Sequence, residues 1–382
     1  MPFSLRPSGS ISGLPPSAFG LSSFLLLLAL TFSACGHRET PVERGIREQV
    51  LHRGVGPEIG ELDPHLATGL TEYHILTALL EGLVSEDPVD LHPVPGIAER
   101  WDISPDQLTY TFHLREAHWS NATPANPKGD PVTAHDFVRS YQRMLTAELA
   151  ADYAYMLFIA AGAQDYHSKK ITDFSQTGFR AIDDRTLQIT LRERAPYFLK
   201  SLVHPAWFPV HLPTLEKFDA VTRKGTRWTR PGNFVGNGAF ILTDWNPGQK
   251  IIVSRSPTYW DRANVKLDEI HFHAIDNADT EERMFRTGQL HITHEIPRAK
   301  IATYQRENPS ELSITPYCGI YYYRFNTAKK PFDDVRVRRA LALSIDRETI
   351  VKFVTRGGGI PAYNFVPPNV GGHVNKDRPS RG

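Results

Sequence analysis

The segment NGAFILTDWNPGQKIIVSRSPTYW, residues 237–260, predicts a β-hairpin. Two runs rich in β-branched and aromatic residues lie on either side of Asn246-Pro247-Gly248, and such turn residues between apolar runs are typical of hairpins. A helix is predicted around TEERMFRTGQL, residues 280–290, where Gly288 is placed to end it in the left-handed conformation.

Outward from this hairpin, strand and helix patterns interleave without strict alternation. LTYTFHLREAHWS, residues 108–120, alternates apolar and polar positions and predicts a half-buried strand, whereas TEYHILTALLEGLV, residues 71–84, carries a helical apolar stripe.

The helix in residues 131–145 begins at Thr133, which has Asp136 three positions later as in a capping box. Residues 178–203 predict two strands joined by an Asp-Asp turn and then a helix near Pro196. The helical stripe in residues 71–84 consists of Ile75, Leu79, Leu80 and Leu83. Such a mixture predicts mixed sheets in more than one lobe, an α/β protein but not a single doubly wound sheet.

YYYRFNTAKKPFDDVRVRRAL, residues 321–341, combines tyrosines with arginines and is predicted to be a strand followed by a helix. Tyr321, Tyr323 and Phe325 would share one face of the strand, and Asp334 would cap a helix beginning at Val335. The buried face of that helix is predicted to consist of Val337, Leu341 and Ile345, and Asp346 would cap a second short helix. The arginines are scattered around the helix, which disfavours a nucleic-acid surface.

The composition is that of a globular protein with a neutral charge balance. The 382 residues contain 43 Lys+Arg and 42 Asp+Glu, so the basic excess typical of nucleic-acid proteins is absent. Hydrophobic residues at 41% are ample for a core, and the length predicts two or three domains. Two cysteines, Cys35 and Cys318, are too few for a disulfide framework.

The amino-terminal segment LSSFLLLLALTFSACG, residues 21–36, predicts export. Its apolar run is shorter than the roughly 20 residues that span a bilayer, and it ends in small residues before Cys35. The pattern resembles a bacterial lipoprotein signal, in which cleavage precedes a cysteine that becomes lipidated. An ordinary secretory signal with an incidental cysteine is the alternative.

A series of short motifs then appears in the order found in a known family. They include ELDPH (61–65), LLEGLV (79–84), PGIAERWDIS (95–104), LVHP (202–205), GNGAFILTDW (236–245), RSPTYW (255–260) and YYYRFN (321–326). The chain resembles the extracytoplasmic solute-binding proteins of family 5, and most of all their oligopeptide-binding branch. The resemblance implies an α/β fold of the type II periplasmic-binding-protein kind, with two main lobes around a ligand cleft plus an extra small lobe.

The resemblance also implies domain boundaries. Residues 1–34 would be a signal peptide, 35–49 a lipidated tether, 50–80 and 211–318 a discontinuous lobe I, 81–210 lobe II (the extra small lobe) and 319–382 the start of lobe III. Members of the family continue well past residue 382, so lobe III is expected to be incomplete and the chain to be a truncated product or a fragment. The part beyond carries, in relatives, the groups that meet the peptide's charged ends. Cys318 is expected to be a free thiol, since Cys35 is predicted to be lipidated.

The implied function is binding without catalysis: the chain would deliver extended oligopeptides to an ABC permease as a lipid-anchored, monomeric periplasmic protein. No cofactor, metal or nucleic acid is expected. Because such a receptor must accept many sequences, most of its contacts go to the peptide main chain. The resemblance places Leu70, Tyr153, Asn237 and Gly238 in the cleft, where glycine lets the ligand approach and the Asn amide can pair with a peptide group.

Other interpretations stay open. The ligand of this family can also be a dipeptide or a metal complex, and the chain can be a non-functional product. His271 and His273 share a face of a probable strand, with His291, His294 and Glu295 soon after, but pairs of this kind are expected by chance among 16 histidines. An exported hydrolase is disfavoured because Asp183-Asp184 and Asp333-Asp334 occupy turn and cap positions rather than forming a separated carboxylate pair.

Overall fold

The computed structural model describes residues 38–315 and 317–367, and the predicted signal segment with Cys35 lies outside them. The chain divides into two units, Met1–Thr40 and Pro41–Gly382, and all elements named below belong to the second. Its strands are β1 (Val50–Gly54), β2 (Val84–Glu86), β3 (Pro93–Pro95), β4 (Ala98–Ile103), β5 (Thr109–Leu114), β6 (Phe179–Asp183), β7 (Thr186–Thr190), β8 (Phe240–Asn246), β9 (Lys250–Arg255) and β10 (Glu269–His273).

The helices have 3 to 12 residues each. They are α1 (Pro41–Glu48), α2 (Leu70–Leu79), α3 (Ala134–Leu145), α4 (Ala163–His167), α5 (Phe198–Ser201), α6 (Leu212–Lys217), α7 (Ala278–Arg286), α8 (Ile301–Glu307), α9 (Val335–Ser344) and α10 (Arg347–Thr349). Within the described ranges, no helix has the length and apolar character needed to cross a membrane.

The first sheet is mixed and has the order β1-β10-β9-β8. The predicted hairpin forms its β8-β9 half, with Gly248 at φ +73° in the turn, and β10 pairs antiparallel with β9. β1 then pairs parallel with β10, so the strand nearest the amino terminus completes a sheet whose other strands come much later. Residues of this sheet fall in the ranges predicted for lobe I.

The second sheet has the order β4-β5-β7-β6 and is antiparallel throughout. The alternation predicted for β5 is confirmed, because Tyr110, Phe112 and Leu114 are buried while Thr109, Thr111 and His113 are not. Burying a side chain such as Phe112 contributes roughly 1.5–3 kcal/mol. The predicted strand, Asp-Asp turn and strand of residues 179–190 also form, as β6 and β7, with Asp183 accepting from the main-chain N–H of Arg185.

Helix α3 lies against β6 and β7, and its predicted start is confirmed. Asp136 accepts the main-chain N–H of Thr133 at 2.8 Å, which satisfies a donor that the first turn leaves unpaired. On the inner face the ring of Tyr141 lies 4.9 Å from Phe179 and 5.5 Å from Trp207, between ring centroids. Aromatic side chains therefore fasten this helix to the second sheet.

Three predictions from the sequence need correction. Residues 317–326 form no strand, because a strand needs a hydrogen-bonded neighbour and nothing in the described residues pairs with this segment. Tyr321 is 88% exposed and Tyr323 71% exposed. Asp334 does cap α9, accepting from Arg336 N–H at 2.8 Å, but the predicted apolar face is not buried and Leu341 is 40% exposed. In addition α2 ends at Leu79, so the buried Leu80 and Leu83 lie beyond the helix.

Candidate functional site

The four residues predicted to meet a ligand lie at the two ends of helix α2. Leu70 is its first residue and is 47% exposed. Asn237 and Gly238 pack at its carboxyl end, next to Leu79 and Glu81. A helix of 10 residues is about 15 Å long, so the structure divides the four residues between two places.

The amino end of α2 is the accessible place. The Tyr153 hydroxyl donates to the carbonyl of Thr68 at 3.4 Å, and its ring meets His204 edge-on, with 4.8 Å between ring centroids. Burial lowers the pKa of His204 and raises that of Tyr153. Leu70 and Tyr153, from the ranges predicted for lobes I and II, therefore lie at a junction of aromatic and apolar side chains, where Thr68 and Gly69 are exposed and the Glu72 carboxylate lies beside Gly69.

The carboxyl end of α2 is closed instead. Asn237 is 3% exposed, its Nδ2 donates to the carbonyl of Glu81 at 2.9 Å and its Oδ1 accepts the Glu81 N–H at 3.1 Å. The side-chain amide that was expected to pair with a ligand is thus engaged with the main chain. Its ligand-binding role stays a prediction, and a direct contact would require these two bonds to open.

Gly238 has a comparable internal role. A Cβ at this position would lie 2.6 Å from the carbonyl carbon of Leu79 and 2.6 Å from the nitrogen of Leu80. Its N–H donates to the Leu79 carbonyl at 3.0 Å, one of the groups left unpaired where a helix ends. Close approach does require glycine here, but the approaching main chain is that of α2, and the predicted approach of a ligand stays a prediction.

A partly buried carboxylate beside Asn237 was not singled out from the sequence. Glu81 accepts from the Tyr259 hydroxyl at 2.9 Å and from Trp260 Nε1 at 2.7 Å, and burial raises its pKa. The Arg115 guanidinium lies over the Trp260 ring, 3.5 Å from its centroid. The motifs LLEGLV and RSPTYW contain both partners, so the signal was present, but only the fold shows that they meet.

A second buried network links Asp63 and His65 to Arg143 of helix α3. Arg143 uses its five N–H donors: two bonds to Asp63, at 2.6 and 3.0 Å, and one to His65 Nδ1 at 2.9 Å. The remaining two reach the carbonyls of Ala220 and Val221, at 3.0 Å each. Both side chains of the ion pair are at most 2% exposed. Burial alone would raise the pKa of Asp63, but the charge and hydrogen bonds of Arg143 hold it below its usual value.

The same network determines the state of His65. Arg143 can only donate, so Nδ1 of His65 accepts, and Nε2 therefore carries the proton that it donates to the Phe208 carbonyl at 3.1 Å. A second proton on the ring would face the guanidinium. Burial, and then the charge of Arg143, lowers the pKa of His65 to about 4.

We expect acid to destabilise the protein through His65. Between pH 6.5 and 4 the unfolded chain protonates this ring while the folded one does not, so the unfolding free energy falls as pH falls, by at most about 1.4 kcal/mol per pH unit. Urea unfolding from pH 7 to 4 measures this slope. His65→Gln, which keeps a donor and an acceptor but cannot titrate, should reduce the slope by up to that amount, while other histidines with a lowered pKa, such as His273, continue to contribute. His135→Gln, at an exposed histidine of α3, should not, and equal slopes in all three proteins would contradict the assignment.

The cavity, Cys318 and the histidine cluster considered from the sequence lie apart from the four predicted ligand contacts. An open cavity of about 570 Å³ lies between segment 323–332 and the residues Leu341, Ser344 and Ile345, and none of the four predicted ligand contacts lines it. Cys318 is an exposed free thiol. His271 and His273 come together on β10, whereas His294 and Glu295 donate their main-chain N–H groups to Glu281.

The fold and these motifs define a class of protein. Residues 92–381 match the family model described as bacterial extracellular solute-binding proteins, family 5, middle region, and the chain belongs to this family. The fold is accordingly the mixed α/β fold of type II periplasmic binding proteins that the resemblance implied.

The chain is also similar to individual members of this family. The chain is 42% identical over 331 residues to the periplasmic oligopeptide-binding protein OppA of Escherichia coli K12, covering 85% of this chain and 58% of that protein. The E. coli murein tripeptide-binding protein MppA superposes with a TM-score of 0.79 at 33% identity, over 86% of this chain and 62% of that one. Haemophilus influenzae OppA, solved in complex with the peptide RPPGFSPFR, superposes with a TM-score of 0.77 at 35% identity. This match covers 84% of this chain and 60% of that one. The chain thus spans about three fifths of the length of these relatives.

Proposed function

We propose that this chain is the solute-binding component of an ABC importer and that its ligand is an oligopeptide in extended form. Supporting this is its membership of family 5 together with its likeness, over 84% of its length, to a relative solved with a bound peptide. We also propose that it acts outside the cytoplasmic membrane as a monomer, anchored by a lipid on Cys35, and that its ligand-bound form docks on the permease. Cys35 lies outside the described residues.

The junction of Leu70 and Tyr153 is the part of the proposed site with accessible groups. It offers the exposed residues Thr68 and Gly69, an apolar side chain and an aromatic ring, although the carbonyls of Thr68 and Gly69 already accept from the Tyr153 hydroxyl and the Tyr73 N–H. An extended peptide presents the same main-chain donors and acceptors whatever its sequence, so hydrogen bonds to such a segment favour broad specificity. Peptide side chains would remain in wet surroundings, where bridging waters tolerate different shapes.

The test is thermal unfolding with and without mixed di- to pentapeptides. A ligand that binds only the native state at 100 times its dissociation constant adds about 2.7 kcal/mol, so we expect the midpoint to rise. Leu70→Asp should reduce the rise, because it places a charge at the proposed contact. The matched control is Val89→Asp, since Val89 is an apolar residue that is 90% exposed in a turn and is not one of the predicted ligand contacts.

The same measurement on a polypeptide completed with the carboxyl-terminal two fifths of the E. coli relative separates two kinds of failure. A rise only in the completed polypeptide would show that the present chain holds an incomplete peptide site. No rise in either protein, with both folded by circular dichroism, would contradict peptide binding itself.

A further inference from the structure

Three histidines that are distant in sequence share one face of the first sheet. The parallel pairing of β1 with β10 sets His52 opposite His271, and His273 follows two residues later on the same face. One ring nitrogen from each of the three lies within 4.8 Å of the other two. The sequence showed only the pair on β10, which is expected by chance. The third imidazole comes from a strand more than two hundred residues earlier and changes that assessment.

The distance between two of the rings fits a shared metal ion. Nδ1 of His52 lies 3.2 Å from Nε2 of His273. In a tetrahedral zinc site with Zn–N bonds of about 2.0–2.1 Å, two ligand nitrogens are about 3.3 Å apart. The same spacing permits a single hydrogen bond between the rings, so it does not decide the matter alone.

His271 supplies an independent observation. Its Nε2 lies 2.8 Å from a carboxylate oxygen of Glu269. An ionised carboxylate only accepts, so Nε2 carries the proton and Nδ1 carries a lone pair. Nδ1 of His271 is buried and has no hydrogen-bond partner in the part of the chain that the structure describes. Burying an unpaired polar atom is costly, whereas a histidine whose outer nitrogen is held by a carboxylate is the usual form of a metal ligand.

The surroundings hold the rings in place. His291 stacks on His52 with 5.7 Å between centroids, and its Nδ1 accepts the main-chain N–H of His52 at 3.0 Å. Gly45 of α1 closes the cluster from outside, since a Cβ there would lie 2.8 Å from Cε1 of His291.

The charges around the cluster are of both signs. Lys250 is the register partner of His273 on β9, Arg44 of α1 adds a second positive charge, and Glu269 supplies the negative one. Burial, followed by the neighbouring ring of His271, lowers the pKa of His52 to about 4. Burial, followed by His52, does the same for His273.

We propose that His52, His271 and His273 bind one transition-metal ion that favours imidazole, such as Zn²⁺, with water completing a tetrahedral set. Glu269 is a positioning residue that orients His271. The ion would join β1 to β10 and so fasten the amino-terminal strand to the first sheet. This inference is independent of the proposed peptide site, because the cluster shares no residue with the junction of Leu70 and Tyr153.

The experiment is a calorimetric titration with Zn²⁺ on the full chain, carrying no polyhistidine tag and treated with a chelator beforehand. We expect uptake of one equivalent and, with Co²⁺ in its place, the visible absorption bands of a tetrahedral ion. His271→Ala should weaken binding by more than about 100-fold, since losing an outer partner alone costs about 10–100-fold. Glu269→Gln should weaken Zn²⁺ binding by about 10–100-fold.

The matched control is His92→Ala. His92 belongs to the exposed group Asp87, Asp90 and His92, which also brings possible ligand atoms together, and this variant should bind Zn²⁺ as the parent does. Absence of one-equivalent uptake by the parent would overturn the proposal. So would unchanged affinity in His271→Ala, or loss of binding in His92→Ala. Should His271→Ala fail to fold, Glu269→Gln and His273→Gln carry the same comparison.

Discussion

Replacing Arg143 with methionine is expected to lower the unfolding free energy by about 3–5 kcal/mol, as is typical when one partner of a buried ion pair is removed. The Asp63 side chain is 2% exposed, and the substitution leaves it without its counter-charge. It also removes the N–H donors that satisfy His65 and the carbonyls of Ala220 and Val221. Urea unfolding at pH 7 measures the loss. The expected result is a lower midpoint with an unchanged dependence on urea concentration.

The control for Arg143 lies on the same helix. Arg139 bonds Glu216 at 2.6 Å, but both side chains are about half exposed, so Arg139→Met should cost about 0–1 kcal/mol. The double variant Arg143→Met with Asp63→Leu should be more stable than Arg143→Met alone, because no charge is then left buried. A small loss in Arg143→Met, equal to that of the control, would show that the network contributes little.

Gly238→Ala is expected to destabilise the protein by about 3 kcal/mol, at the upper end of the cost of overpacking a core. The new Cβ would meet main-chain atoms of residues 78–80, which cannot turn aside as a flexible side chain can. The end of α2 must shift to admit it, and the paired bonds between Asn237 and Glu81 are disturbed with it.

Gly60→Ala is the matched comparison, because a Cβ at Gly60 meets nothing within 4 Å and this glycine has no left-handed conformation to lose. Removing a glycine there restricts the unfolded chain, so we expect a change between zero and a stabilisation of about 1 kcal/mol. Melting temperatures of the two variants, recorded together, decide the question. Similar values would mean that the contact at Gly238 relaxes without cost.

The elements predicted from the sequence with success are those whose signals are local. The capping pair of Thr133 and Asp136, the turn around Gly248 and the cap at Asp334 each require only neighbours in the chain. The strand predicted at residues 321–326 failed for the opposite reason. Its alternating pattern describes a chain that can pair, but pairing depends on another segment, and nothing in the described residues supplies it.

The candidate site shows the same division between local and distant information. The need for glycine at position 238 was predictable, but whether a ligand or the protein's own helix approaches it was not. Asp63 and Arg143 are 80 residues apart, and no spacing rule connects them. His52 could not be grouped with His271 until the register of β1 against β10 was known.

The parallel pairing of β1 with β10 also has a consequence for the order of folding. A chain made from its amino terminus completes the antiparallel sheet of residues 98–190 long before β10 exists. Until residue 273 has been made, β1 presents unsatisfied main-chain groups along its edge, because its hydrogen-bonding neighbour lies more than two hundred positions downstream. During this interval an unpaired β1 is available for pairing with another chain, and the length of the interval follows from the topology.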